Sequence, residues 1–303
     1  MESHSGGRRR SHKHLSVDVS PNYPKPRKRF GQNFLHDRGT IQRILVTVAP
    51  QPNDRLVEIG PGRGAITEGL LAAAGELDVV ELDRDLIEPL RKRLAGTGVL
   101  RIHQGDALAF DLCALAPSPA SLRVVGNLPY NLSTPLLFRF LDQAHCIRDL
   151  HLMLQREVVE RIAAEPGSKT YGRLSVMIQT WCQAQSLFRI GPGAFTPAPK
   201  VESAFLRLLP HRPLPFPLDD PELHGRIVAA AFSQRRKTLR NALSGLVDPG
   251  ILEGVGIDPG RRAETLSVMD FARLANAVSR YCPGDDRIAK PPVRPEIDPA
   301  NSK

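Results

Sequence analysis

Apolar positions along the first two thirds of the chain follow two alternating patterns. One is a series of short, largely apolar runs, which is typical of strands that are covered on both faces. These runs are 56–59, 77–80, 100–103, 122–126 and 150–154. Between them, apolar residues recur every three to four positions, as they do in 38–48 and 133–141, which predicts amphipathic helices. Strands that alternate with helices predict an α/β fold with a mainly parallel sheet.

The pattern changes after residue 180. Two apolar runs, 184–190 and 204–209, are joined by a Pro-rich loop, which predicts an antiparallel edge on the parallel sheet. A second Pro-rich stretch, 210–217, is typical of a linker. Helical periodicity then returns near 223–232, 237–246 and 270–281, with too few apolar residues for more than a small helical domain.

These changes predict four segments. Residues 1–26 are rich in Ser, Arg, His and Pro without periodicity, as in disordered tails. Residues 27–210 are predicted to form the α/β domain and residues 211–282 a small all-α C-terminal domain. Residues 283–303 are rich in Pro and charge and are predicted to form a flexible tail.

The charge of the chain is basic and unevenly distributed. The net charge is +9, and residues 1–30 alone contain eight Lys or Arg against two acids. A basic chain favours a polyanionic partner such as a nucleic acid. A solvated basic tail explains the same charge equally well, so both interpretations stay open.

Several classes of protein are excluded by composition. No apolar run approaches the roughly 20 residues of a membrane span, and the N-terminus lacks the apolar core of a secretory signal. The four cysteines, Cys113, Cys146, Cys182 and Cys282, are far apart without a C-x-x-C pair. This spacing indicates neither a zinc site nor a disulfide framework, and we expect a reducing, cytoplasmic location without a membrane.

A glycine-rich turn follows the first strand of the α/β domain. Gly60-Pro61-Gly62-Arg63-Gly64 lies between that strand and a helix, where backbone can approach a cofactor closely. The next strand ends in Glu81, 21 residues after Gly60, the usual distance to an acid that binds ribose hydroxyls. Asp106 ends the third strand and could accept from an adenine amine or cap the following helix. The arrangement predicts a nucleoside cofactor.

Asn127-Leu128-Pro129-Tyr130 follows the fourth strand, at the sheet edge where open α/β folds bind ligands. The side-chain carbonyl of Asn127 can accept one hydrogen of a planar amine. A backbone carbonyl, expected to be that of Leu128, can accept the other. Pro129 fixes the turn, and Tyr130 offers a face on which a base can stack. The ordinary alternative is a Pro turn with Asn127 as a cap and Tyr130 packed.

Other candidates are ambiguous from the residues alone. Asn33 could contact a ligand or cap the helix at 38–48, and spacing favours the cap. Phe195 could face Tyr130 across a base if it is exposed, although residue type favours a buried ring. The basic residues near the second C-terminal helix, which could contact phosphates or line a solvated face, are Arg235, Arg236, Lys237 and Arg240.

Together these stretches resemble the ribosomal RNA adenine N6-dimethyltransferases, and most closely the branch that modifies the 16S rRNA of the small subunit. The motifs that carry the resemblance are 30–35 (FGQNFL), 58–64 (EIGPGRG), 81–83 (ELD), 105–106 (GD), 127–130 (NLPY), 195–201 (FTPAPKV), 235–241 (RRKTLRN) and 261–266 (RRAETL). The long basic N-terminus is the visible departure from the family.

The resemblance implies a Rossmann-like methyltransferase sheet and the methyl donor S-adenosylmethionine. The residues implied to bind that cofactor are Asn33, Leu35, Gly60, Glu81, Asp106 and Asn127. The target base is implied to lie between Tyr130 and Phe195. The expected reaction forms N6,N6-dimethyladenosine at two adjacent adenosines near the 3′ end of 16S rRNA, with the assembling small subunit as partner and the enzyme as a monomer.

Other functions explain less of the sequence. An oxidoreductase with the same α/β half leaves 127–130 without a role. A non-catalytic RNA-binding assembly factor would not need both cofactor acids and an intact NLPY motif. A DNA adenine methyltransferase or a large-subunit rRNA adenine methyltransferase shares the core, but the segments 235–241 and 261–266 favour the small-subunit enzyme.

Overall fold

The structure is a computed structural model that describes residues 24–27, 31–234 and 236–281. Its strands are β1 (Phe34–Leu35), β2 (Arg55–Ile59), β3 (Glu76–Glu81), β4 (Val99–Gln104), β5 (Leu122–Asn127), β6 (Ile147–Gln155), β7 (Cys182–Ile190), β8 (Phe195–Thr196) and β9 (Ser203–Pro210). Its α-helices are α1 (Arg38–Val48), α2 (Thr67–Ala74), α3 (Arg84–Arg93), α4 (Ser133–Asp142), α5 (Arg156–Ile162), α6 (Arg173–Trp181), α7 (Pro221–Ala231), α8 (Leu239–Ala242), α9 (Pro249–Gly254) and α10 (Val268–Tyr281). The predictions for Arg235 and for the tails before residue 24 and after residue 281 lie outside the described residues.

Seven strands form one sheet in the order β4-β3-β2-β5-β6-β9-β7. The first five are parallel, whereas β9 runs antiparallel to both β6 and β7. Both the parallel core and the antiparallel edge are therefore confirmed, and the fold is an α/β Rossmann-like sheet. Because β2, β3 and β5 are parallel neighbours, the residues that follow them meet at a single edge of the sheet.

Helices cover both faces of this sheet. On one face, Phe140 of α4 is buried against Leu152 of β6 in one apolar cluster. On the other, Ile44 of α1 and Leu70 of α2 pack with Val79 of β3 in a second cluster. Burial on both faces explains why the strands are apolar runs without alternation.

Helix α1 begins at a side-chain cap. Asp37 accepts a hydrogen bond from the backbone N–H of Thr40 at 2.7 Å, and the helix ends where Ala49 adopts a left-handed conformation with φ 46°. The sequence-based preference for Asn33 as the cap of this helix is therefore wrong. Asn33 does not cap α1 and instead lies beside the carboxyl end of β5.

The C-terminal helices form a third apolar cluster. Leu239 of α8, Leu252 of α9 and Phe271 of α10 are all fully buried in it. Tyr171 and Val176, which precede the Pro-rich stretch, are part of the same cluster. Helix α8 is shorter than predicted and α9 was not predicted. The division into domains at residue 210 stays a prediction.

A disulfide joins Cys113 to Cys146, with the two Cα atoms 5.5 Å apart. The prediction that the sequence contains no disulfide is wrong for this pair. Cys113 lies in a short 3₁₀ helix before β5 and Cys146 immediately precedes β6, so strand pairing brings together residues 33 apart in the chain. Spacing rules that look for nearby cysteines cannot detect such a pair.

No helix among the described residues has the length and apolar character needed to cross a bilayer.

Candidate functional site

A cavity of about 360 Å³ opens at the carboxyl edge of β2, β3 and β5. This volume is within the range of small-molecule sites. The predicted site residues that line it are Asn33, Leu35, Gly60, Glu81, Asp106, Asn127, Leu128, Pro129 and Tyr130. The structure thus gathers into one cavity residues that are spread over nearly 100 positions of the chain.

The glycine-rich turn after β2 forms one wall. Gly60 and Gly62 have φ values of 67° and 57°, a left-handed backbone that side chains disfavour. A Cβ atom at Gly62 would also lie 3.1 Å from the ring of Phe34. The glycines therefore permit both the sharp turn and the close approach of the β1 segment to it.

Glu81 supplies a buried carboxylate at the end of β3. Its side chain accepts hydrogen bonds from the backbone N–H of Gly62 at 3.1 Å and of Asp83 at 2.8 Å. Burial raises the pKa of Glu81, while those two backbone donors act in the opposite direction. The carboxylate is held in place by the backbone and retains lone pairs for a hydroxyl donor.

Glu58 is a second buried acid in the cavity wall, and it was not among the predicted site residues. It is 2% exposed, and its Oε2 atom has no hydrogen-bond partner among the described residues. Burial raises the pKa of Glu58 to about 8, and the charge of Glu81 adds to that rise. The signal in the sequence was a glutamate between Val57 and Ile59 in a strand buried on both faces.

Asp106 is exposed at the mouth of the cavity. Its Oδ1 atom accepts from the backbone N–H of Leu108 at 2.9 Å, which forms a local side-chain turn rather than the helix cap of the alternative interpretation, because no helix among the described residues begins there. The Oδ2 atom makes no hydrogen bond to a described residue. One oxygen therefore fixes the side chain while the other is available to a ligand amine.

Asn127 is held by a residue of the distant β1 segment. Its Nδ2 donates to the backbone carbonyl of Asn33 at 3.1 Å, and the Nδ2 of Asn33 donates to the carbonyl of Gly31 at 3.2 Å. Because the amide nitrogen of Asn127 is occupied, the amide orientation is fixed. Its Oδ1 makes no hydrogen bond to a described residue and remains the acceptor.

The rest of the tetrapeptide is also anchored. Leu128 is buried and donates its N–H to the carbonyl of Met153 at 3.1 Å. The carbonyl of Pro129 accepts from Ser133 Oγ at 3.1 Å. The Tyr130 hydroxyl lies 2.6 Å from Ser203 Oγ on β9, and burial raises the pKa of that hydroxyl. The turn is thus tied to β6, α4 and β9.

Phe195 does not line the cavity. Its ring is 2% exposed and belongs to the apolar cluster that contains Leu35. The two residues are paired in the antiparallel ladder of β1 and β8, which turns Phe195 inward and Thr196 outward. The family resemblance implied that Phe195 lies opposite Tyr130 across the target base. The structure corrects this position, because Phe195 is a core ring, which is the alternative that its residue type favoured.

A contact near the N-terminus, which was not foreseen, joins Arg27 to the turn that follows Glu81. Arg27 Nη1 lies 2.8 Å from Asp83 Oδ1, and Gln32 Nε2 donates to Asp83 Oδ2 at 2.9 Å. Asp83 lies two residues after Glu81, in the turn between β3 and α3. The segment before β1 is thus fastened beside the acid that was predicted to bind ribose.

A basic face lies on the C-terminal helices. Arg236, Lys237 and Arg240 are exposed, and none of them forms an ion pair with a described residue. The start of α8 is tied to a second basic stretch because the N–H of Leu239 donates to the carbonyl of Arg261 at 2.8 Å. The two basic segments, 235–241 and 261–266, are therefore adjacent at this point.

The chain is similar to rRNA-modifying enzymes over most of its length. The profile of the family described as ribosomal RNA adenine dimethylase matches residues 24–280. The ribosomal RNA small subunit methyltransferase A of Pseudomonas fluorescens is 56% identical over 255 residues, which cover 84% of this chain and 94% of the relative. The protein of the same name from Pseudomonas aeruginosa is 52% identical over 261 residues, 86% of this chain and 97% of the relative.

Solved structures agree with the fold. A dimethyladenosine transferase from Plasmodium falciparum superposes with a TM-score of 0.70 at 24% identity, over 80% of this chain and 95% of the other. A 23S rRNA methyltransferase, ErmE, superposes with a TM-score of 0.66 at 25% identity, over 82% of this chain and all of the other. In both cases the matched part of this chain is longer than the sheet and the helices that cover it. The similarity therefore includes residues outside that part of the fold.

Proposed function

Because this chain belongs to the ribosomal RNA adenine dimethylase family, we propose that its cavity holds S-adenosylmethionine beside a target adenine. The chain is an S-adenosylmethionine-dependent methyltransferase that acts on adenine N6 of small-subunit rRNA. The large-subunit alternative is not favoured, since relatives above 50% identity carry the small-subunit name. We propose two adjacent adenosines near the 3′ end of 16S rRNA as the targets.

The donors and acceptors around the cavity fit this cofactor. Glu81 is a buried acceptor whose position is fixed by two backbone N–H groups, which suits a pair of ribose hydroxyls. Asp106 has one carboxylate oxygen available for the adenine amine. The cavity that contains both acids is also lined by Asn33, Leu35 and Gly60, which supply backbone groups and an apolar wall.

Bound S-adenosylmethionine supplies an electrophilic methyl group on a sulfonium sulfur. The residues of the turn after β5 orient the nucleophile. Asn127 Oδ1 accepts one hydrogen of the adenine N6 amine, and the carbonyl of Leu128 accepts the other. An amine held this way has its lone pair turned out of conjugation with the ring, so it can attack without prior deprotonation. Tyr130 stacks on the base and holds it in line.

The observation that carries this proposal is the hydrogen bond from Asn127 Nδ2 to the carbonyl of Asn33. It commits the amide nitrogen to the protein and leaves Oδ1 as an acceptor at the cavity. An acceptor that is oriented before the substrate arrives costs no reorganisation in the transition state. This requirement also explains why the β1 segment is fastened to the sheet edge.

Recognition of the RNA is assigned to the basic face. Arg236, Lys237 and Arg240 form no ion pair with a described residue, so their charge suits phosphates, and Arg235 belongs to the same stretch of sequence. We further propose that the substrate is the assembling small subunit, that the enzyme acts as a monomer and that the reaction takes place in the cytoplasm. The α/β domain at 27–210 would carry the chemistry and residues 211–282 the RNA contacts.

Methylation of rRNA from a strain that lacks this activity tests the proposal. Purified protein is incubated with S-adenosylmethionine and either small-subunit particles, naked 16S rRNA or large-subunit RNA, and the nucleosides are measured by mass spectrometry. We expect N6,N6-dimethyladenosine in 16S rRNA, formed most readily in the particle. Product in large-subunit RNA, or no transfer to either, would contradict the assignment.

A further inference from the structure

Cys113, His145 and Cys146 form a cluster at the edge of the sheet opposite the cavity. Cys146, which precedes β6, lies beside the amino end of the neighbouring strand β5, because its carbonyl accepts a hydrogen bond from the N–H of Leu122 at 3.0 Å. Asn127 ends the same strand, so the length of β5 separates the cluster from the cavity by about 20 Å. The cluster is therefore not part of the methyl-transfer site.

Three ligand atoms converge in this cluster. The sulfur atoms of Cys113 and Cys146 and a ring nitrogen of His145 all lie within 4.8 Å of one another. His145 Nε2 is 3.4 Å from Cys113 Sγ. Cys146 is buried, Cys113 is half-buried and His145 is exposed, so the cluster opens to solvent on the histidine side. Two thiolates and an imidazole are a ligand set that Zn²⁺ favours.

We propose that Cys113, Cys146 and His145 bind one Zn²⁺ ion when the disulfide is reduced, with the fourth coordination position open to solvent. A dithiol reductant supplies two electrons and two protons, which break the S–S bond, and the reductant itself becomes a disulfide. The ion then replaces both thiol protons, which are released to solvent. The disulfide is the metal-free, oxidised form of the same site.

The change in geometry is small. Zinc takes sulfur at about 2.3 Å and imidazole nitrogen at about 2.0–2.1 Å, so tetrahedral coordination places the two sulfurs roughly 3.7 Å apart. Bonded sulfurs are about 2 Å apart, and rotation of the two side chains is enough to supply the difference. The Cα atoms, 5.5 Å apart, need not move far.

The backbone around the cluster is already fixed. Gln143, which is buried, accepts from the N–H of Leu112 at 2.7 Å and donates to the carbonyl of Phe110 at 3.3 Å. It thereby joins the 3₁₀ helix that carries Cys113 to the turn that carries the other two ligands. The carbonyl of His145 accepts from Ala120 at 3.0 Å. Ligands on a fixed backbone lose little conformational entropy on binding.

Titration of the reduced full-length protein with Co²⁺ tests the proposal, because thiolate coordination gives a charge-transfer absorption and Zn²⁺ should displace it. We expect one equivalent of Co²⁺ per chain. Cys113→Ser should lose the thiolate absorption, and His145→Ala should raise the dissociation constant roughly tenfold or more, since even outer-shell partners contribute that much. Both positions are partly or fully exposed, so folding should survive, which circular dichroism checks.

Two variants serve as matched controls. Cys182→Ala removes the other described cysteine, which is buried elsewhere, and His36→Ala removes an exposed histidine outside the cluster. Both should bind Co²⁺ like the wild type. Absence of stoichiometric binding by the reduced wild type would overturn the proposal, as would His145→Ala binding with unchanged affinity.

Discussion

The side-chain nitrogen of Asn127 donates a hydrogen bond to the backbone carbonyl of Asn33 at 3.1 Å, across 94 positions of the chain. This bond connects the FGQNFL segment to the turn that is proposed to orient the target amine. It gives the β1 segment a positioning role in addition to its place in the cavity wall.

Glu81 is proposed to bind the ribose of the cofactor. Glu81→Ala removes the acceptor and should weaken S-adenosylmethionine binding by ~1.5–3 kcal/mol, measured by calorimetry. RNA affinity should change little, because the carboxylate is buried away from the basic face. Glu88→Ala, at an exposed position of α3, is the matched control. Unchanged cofactor affinity in Glu81→Ala would remove Glu81 from the site.

Glu58 should make stability depend on pH. Burial raises its pKa to about 8 from an ordinary value of 4.5, so the folded chain holds a proton that the unfolded chain releases. The resulting stabilisation is complete below about pH 4.5 and is lost as pH rises through about 8. Glu58→Gln stays neutral, so its free energy of unfolding should rise relative to wild type, by on the order of a few kcal/mol near pH 9.

Urea denaturation at several pH values measures this difference. Glu253→Gln, at an exposed position without an ion pair among the described residues, is the control and should show no such trend. A constant difference between Glu58→Gln and wild type from about pH 5 to about pH 9 would mean that Glu58 ionises normally.

Ser203 should act on the RNA base through Tyr130. Loss of the 2.6 Å hydrogen bond frees the tyrosine ring, so Ser203→Ala should lower kcat/KM by roughly tenfold, mainly through a higher KM for RNA. Tyr130→Phe removes the same bond from the other side. The double variant should cost no more than either single one. Additive losses in steady-state assays would show that the two residues act independently.

The basic face should determine the salt dependence of RNA binding. Replacing Arg236, Lys237 and Arg240 with Gln should flatten the plot of log K against log salt by roughly 0.7–0.9 per lost phosphate contact. Replacing Arg84, Arg91 and Lys92 on α3 with Gln removes the same charge elsewhere. An equal effect of both triple variants would indicate that only net charge matters.

Local pattern predicted most of the fold. The bounds of α1 follow from its apolar periodicity, and the cavity residues follow because parallel strands end at one edge. Relations between distant segments were not predictable. The Cys113–Cys146 disulfide and the inward turn of Phe195 both depend on strand pairing, which spacing in the sequence does not reveal.

In the site too, features that follow from local sequence were predicted, whereas contacts between distant segments were not. Glu81 and Asn127 were identified from their positions after buried strands, whereas the cap of α1 was assigned to the wrong residue because Asp37 and Asn33 are both plausible caps by type. The contact from Arg27 to Asp83 joins segments 56 positions apart. Such contacts fix the geometry of the site, and only the folded structure contains them.

Single-turnover methylation of the small subunit by Asn127→Ala tests the central claim most directly. The variant lacks the acceptor that turns the amine out of conjugation, so the rate should fall by ~10²–10³, by analogy with loss of an oxyanion-hole donor. A monomethylated amine must turn its methyl group away before the second transfer, so monomethyladenosine should accumulate. Transfer at the wild-type rate, with dimethyladenosine as the sole product, would contradict the role assigned to Asn127.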